Sequence, residues 1–171
     1  MPTKVQSLVA VLLLLACISL LPAVASAQTS NVAPRITQAV DETNLVTISG
    51  SVHPLAQAKY DRGAAADSQP IRRGMVLLQR SPAQEAALRQ LMDAQQSSSS
   101  PSYHKWLTPA QFGAQFGAAG TDIQTVSSWL TSHGLQVNRV SAGGTIIEFT
   151  GTAGGVQSAF HTSIHIYEVT G

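Results

Sequence analysis

The sequence predicts an α+β domain, with an antiparallel sheet carrying helices on one face in the order β-α-β-β-α-β and one helical insertion. Three patterns carry this expectation. The apolar run "RRGMVLLQR" passes directly into the capped helical stretch "SPAQEAALRQLMDAQQ". Two alternating runs flank the turn material "SAGG" in "LQVNRVSAGGTIIEFTG". The short helical stretch "TAGGVQSAFHT" then leads into the alternating run "SIHIYEV".

Each element has a local reason. "RRGMVLLQR" is apolar enough for a buried strand. In the following helix Ser81 is the cap, Pro82 takes the first helical position and Gln84 completes a capping box. Leu88, Leu91, Met92 and Gln95 recur at helical spacing, and the serines at 97–100 end the helix in a linker. Thr108, Pro109 and Gln111 repeat the same start signal. Phe112 and Phe116, four residues apart, share one face of a short helix that Gly117 stops. Thr121 and Gln124 form a third box, Ile123, Val126 and Leu130 make an apolar stripe with Trp129 beside it, and Gly134 is a C-terminal stop. The alternation around "SAGG" reads as a hairpin. In "TIIEF" Glu148 faces solvent, or a partner, opposite buried Ile147 and Phe149.

The insertion is aromatic. Tyr103, Trp106, Phe112 and Phe116 are four of the nine aromatic residues in a chain that is only 5% aromatic. They are candidate core anchors for a short helix or candidate contacts for a partner. Tyr103 and Trp106 also suit stacking on a sugar, which leaves a secreted carbohydrate-binding module as the alternative function.

Upstream, the chain divides into a signal peptide at 1–27, an extended leader with short strands at 28–71, and a core at 72–171. "MPTK", a long apolar run and "ASA" describe a secretory signal cleaved between Ala27 and Gln28. An uncleaved membrane anchor is the other reading, because the run approaches bilayer-spanning length. A lipoprotein reading of "LLAC" at Cys17 is weaker, because the apolar run continues past the cysteine. The expected location is secreted, extracellular or periplasmic, with no membrane partner after cleavage. The leader has β-type runs around Ile36 and at 45–48, separated by "DETN", which suits an extended pair. "LAQAKYDRGAAADSQP" has no sustained period and reads as a surface excursion.

Composition excludes several functions. Removing 27 of 171 residues leaves 144, with nine basic against nine acidic residues. A neutral chain gives no reason to expect nucleic acid as a partner. The only cysteine, Cys17, leaves with the signal, so disulfides and thiol chemistry are not expected in the mature protein. The chain contains no G-x-S-x-G elbow, P-loop or H-E-x-x-H motif. "GTAGG" opens a helix but has no lysine with which to hold a phosphate. His161 and His165 could share a metal on a helix, but their surroundings read as strand, where four residues span roughly 13 Å. His53, His104 and His133 read as isolated surface residues. No catalytic, metal or cofactor residue is assigned.

The blocks "SYHKWLTPAQFGAQFG", "WLTSHGLQVNRV" and "TIIEFTGTAGGVQSAFHTSIHIYEV" resemble, in order from about Arg73 to Gly171, the activation prodomain of the sedolisin or kumamolisin family of serine-carboxyl peptidases. The upstream "ITQAVDETNLVTISGSVHPLA" and "DRGAAADS" resemble the leader of bacterial members. The resemblance implies a ferredoxin-like fold that docks on a subtilisin-like catalytic domain, in cis or in trans. It also implies folding assistance, inhibition, and release by acid autoprocessing as a zymogen. Calcium and the Ser-Glu-Asp triad are expected only in that catalytic domain. The chain itself is therefore expected to be a non-enzymatic propeptide, a fragment of a longer precursor rather than a free-standing prodomain.

Overall fold

The structure is a computed structural model and describes residues 32–169. Among these residues five strands and four helices follow one another. Strand β1 (Asp61–Ala64) follows a single 3-10 turn, Ala58–Tyr60, and precedes β2 (Pro70–Leu77). Helices α1 (Pro82–Gln96), α2 (Pro109–Phe116) and α3 (Gly120–Ser132) come next. The hairpin β3 (Gln136–Val140) and β4 (Ile146–Thr152), helix α4 (Ala153–Phe160) and strand β5 (His165–Tyr167) complete the order. From β2 onward this is the expected β-α-β-β-α-β succession, with α2 inserted, in a mixed α+β fold consistent with ferredoxin-like topology.

Strands β2, β4 and β3 form a three-stranded sheet in that order, antiparallel throughout. Val76 pairs with Ile147, and Gly74 with Phe149, so alternation sends one row of β4 into the core. Ile147, Phe149, Leu130, Leu135 and Ala159 are buried together, with Ile123, Val126, Trp129 and Val156 of α3 and α4 packed around them. The helices thus cover one face of the sheet.

The start signals of α1 and α2 act as expected. Ser81 Oγ accepts from Gln84 N and Gln84 Oε1 accepts from Ser81 N, closing a reciprocal box. Thr108 and Gln111 do the same. Helix α3 differs: its N-cap is Ala119, which makes no side-chain cap, and Thr121 is already helical. Ala119 is buried, and packing rather than a polar cap fixes this start. At the other end Gly134 adopts φ +74°. Gly134 N donates to Thr131 O and Leu135 N to Leu130 O, the paired bonds of a Schellman stop that carries Leu135 into the core beside Leu130.

Two upstream expectations are corrected. The strands anticipated around Ile36 and at 45–48 do not form; those residues have no strand partner among the described residues. The strand lies instead in the supposed surface excursion, as β1, which pairs antiparallel with β5 in a separate two-stranded sheet. Its sequence, Asp-Arg-Gly-Ala, has no apolar alternation, because its partner rather than burial specifies it. Asp61 accepts from His165 Nδ1 at 2.9 Å, Arg62 pairs with Glu168 at 3.0 Å, and Ala65 N donates to Ile164 O.

Candidate docking surfaces

The sheet face opposite the helices is uncovered. Alternation turns Met75, Leu77, Ile146 and Glu148 onto it. Met75 is 50% and Leu77 67% exposed, both within the paired part of β2. Beside them Glu148 accepts from Arg73 Nη2 at 3.0 Å and from Arg139 Nη2 at 2.6 Å. Its pairing residues are Met75 on β2 and Arg139 on β3. The open face therefore carries three apolar side chains next to two guanidiniums that share one carboxylate. The expected outward position of Glu148, opposite buried Ile147 and Phe149, agrees with this arrangement; the two arginines that engage it needed the strand register.

Arg139 first, and then Arg73, hold the Glu148 carboxyl below the usual carboxylate range against the opposing effect of partial burial. Its folded-state pKa lies below the unfolded one, about 4.3. The cluster's contribution to stability is full above the unfolded value and disappears as pH falls through the folded one. The gap in urea midpoint between wild type and Glu148→Gln is accordingly expected to stay constant from neutral pH to about pH 5 and to close only at lower pH. A gap that closes already between pH 7 and 6 would contradict the assignment.

The aromatic block splits into two parts. Phe112 and Phe116 sit on one side of α2 with ring centroids 5.5 Å apart, Phe116 buried and Phe112 half-buried. Tyr103 and Trp106 lie in the preceding loop and are exposed, Trp106 by 62%. Their rings stack on the intervening His104, at 3.8 Å and 5.8 Å. His104 adopts φ +53°, and its N–H donates to Gln95 O, while the Gln95 side chain donates to Lys105 O. Gln95, buried near the end of α1, thus clamps the loop from both sides. Tyr103 and Trp106 each turn one ring face toward His104.

The remaining expected positions are separate. His161 ends α4 in a left-handed conformation at φ +47°, whereas His165 is in β5 against Asp61. His133 caps α3 and faces Glu42 at 3.3 Å. Among the described residues no group of three or more histidine, cysteine or carboxylate side chains is placed to hold a metal. No helix among them is long and apolar enough to cross a membrane. Ala27 and Gln28 lie outside the described residues.

The antiparallel sheet thus has one face packed by helices and the other offered to solvent as a mixed apolar and charged surface. Residues 57–171 match the family described as pro-kumamolisin, activation domain. The chain belongs to that family. It is a peptidase propeptide region rather than a catalytic domain, and the family associates with a sedolisin-type catalytic domain. No curated protein matches the chain.

Proposed function

We propose that this chain is the secreted activation prodomain of a sedolisin-type serine endopeptidase, delivered by a signal peptide cleaved between Ala27 and Gln28. It assists folding of the catalytic domain and inhibits it until acid autoprocessing, whether joined to it or acting in trans. The observation that carries the reading is the family match across 57–171. The mechanism needs no chemistry from this chain. A domain that binds only the folded peptidase stabilises that fold by mass action and covers its surface while bound. No cofactor enters on this side; calcium belongs with the catalytic domain.

The docking surface in this reading is the open sheet face. Met75 and Leu77 supply the apolar centre, and Arg73 with Arg139 outnumber Glu148, leaving one unbalanced positive charge for a carboxylate of the partner. The arginines hold the Glu148 carboxyl below the usual carboxylate range, so carboxylates of the partner without such neighbours take up protons before it does as the pH falls.

The test is inhibition of the cognate catalytic domain by the added chain, at neutral pH and at about pH 4. Tight inhibition at neutral pH and at least roughly tenfold weaker inhibition in acid are expected, a difference of about 1.4 kcal/mol. Equal inhibition at both pH values would remove the acid-release mechanism. Leu77→Asp, at a position already exposed to water, is expected to leave the melting temperature within about 2 °C of wild type and weaken inhibition roughly tenfold or more. Unchanged inhibition by that variant would place docking elsewhere, with Tyr103 and Trp106 the next surface to test.

A further inference from the structure

Residues 32–43 precede the family-matched region and contain no helix or strand, yet they are tied to both ends of α3. At its first turn, buried Asp122 accepts the backbone N–H of Arg35 at 2.8 Å and of Ile36 at 3.1 Å. The Arg35 guanidinium reaches Gln79 O at 2.7 Å, joining the segment to the β2–α1 connection. Val32 and Ile36 meet Leu78 and Ala119 around a small cavity of about 80 Å³. At the last turn Glu42 accepts the Trp129 indole N–H at 2.8 Å and lies 3.3 Å from His133 Nε2. Asp122 and Trp129 are two helical turns apart, so the segment is a strap laid along α3.

Residues 44–56, which join the strap to the family-matched region, are different in kind. They have turns but no helix or strand, and Leu45, Val46, Ile48 and Val52 are all exposed, Val46 by 83%. An exposed segment without helix or strand is where proteolytic nicking concentrates. We propose that 44–56 is a regulatory cleavage site and that cutting it releases the strap from α3. The reaction is hydrolysis of one backbone amide by an endopeptidase. The oxygen of water joins the carbonyl carbon, the C–N bond breaks, and the departing nitrogen takes a proton.

The tether is what makes the strap effective. A short tether holds its two ends at an effective concentration on the order of millimolar, which a cut abolishes. A free peptide of the strap's size, at micromolar concentration, then depends on a few hydrogen bonds and one small apolar contact. On its departure the Asp122 carboxylate loses two donors and the Trp129 indole loses its acceptor. This inference concerns the chain alone and does not rest on the docking reading.

The test uses the full mature chain under sparing treatment with a broad-specificity endopeptidase. Mass spectrometry is expected to place the first cut within 44–56. The melting temperature of the nicked chain should then fall by roughly 4 °C, and the Trp129 indole N–H resonance should move. A first cut elsewhere, or a nicked chain that keeps both the midpoint and the resonance, overturns the proposal. A double-mutant cycle checks the strap without a peptidase. Arg35→Pro deletes a leader N–H without altering α3, and Asp122→Asn weakens its acceptor. The two shifts in midpoint are expected to be markedly less than additive; additive shifts overturn the strap.

Discussion

Replacing Gly113 by alanine is expected to lower the stability of the domain by about 1–2 kcal/mol, although alanine favours a helix interior over glycine by roughly 1 kcal/mol. Gly113 lies in α2 where the helix meets the β3–β4 turn. A Cβ there would come within 3.0 Å of the backbone carbonyl oxygen of Ala142. Backbone is the obstacle, and this backbone is held. Gly144 N donates to Ser141 O at 2.9 Å, Ala118 N donates to Gly144 O at 2.9 Å, and Gly144 itself sits at φ +66°. The turn cannot retreat without giving up those bonds, so overpacking outweighs propensity. Gly117, one helical turn on, is blocked in the same way by Gly113 O and Gly143 O. Gly120 is the control. Nothing lies within 4 Å of the Cβ it would carry, and Gly120→Ala at the start of α3 is expected to be neutral or slightly stabilising. Urea midpoints at unchanged slope measure both. A Gly113→Ala variant as stable as Gly120→Ala would show that α2 is free to shift.

This contact explains why the insertion reads "QFGAQFG". The phenylalanines share one side of α2, and the glycines let its backbone settle on the hairpin turn. Sequence reasoning found the phenylalanine pair because helical spacing is local. It treated Gly117 as a stop and had no way to see the turn that both glycines face. The same division runs through the molecule. The Ser81 and Thr108 boxes, the Gly134 stop and the β3–β4 hairpin depend on neighbours within a few residues, and all were legible. Thr121 misled because Ala119 is fixed by burial. Strand β1 was missed because it is defined by residues about a hundred positions away. The strap was misread as strand because β-type composition at Ile36 says nothing about Asp122 waiting for its N–H groups. Glu148 was placed outward by alternation alone, but its two arginines required the register of three strands.

The largest single effects are expected where β2 crosses β4. Gly74 pairs with Phe149, and a Cβ on Gly74 would come within 3.0 Å of three atoms of the Phe149 ring. The ring lies over the glycine and fills the space a side chain would take, so the sheet gains an aromatic cover for a residue that otherwise weakens a strand. Phe149 is also a member of the central core and stacks on Phe160 with centroids 6.2 Å apart, and Phe160 in turn meets Trp129 edge-on at 5.3 Å. Phe149→Ala is expected to cost about 3–5 kcal/mol, a large share of the roughly 5–15 kcal/mol that stabilises a domain. Gly74→Val is expected to cost about 2–3 kcal/mol, because the ring is boxed in and cannot swing aside. Valine itself suits a strand, so once the ring is gone the penalty disappears and the new side chain occupies part of the cavity. The double variant is therefore expected to be about 2 kcal/mol or more stable than the sum of the two losses predicts. Chemical denaturation of the four proteins measures this coupling. Additive losses would mean that Phe149 and Gly74 do not share the same space, and the packing of β2 on β4 would have to be drawn differently.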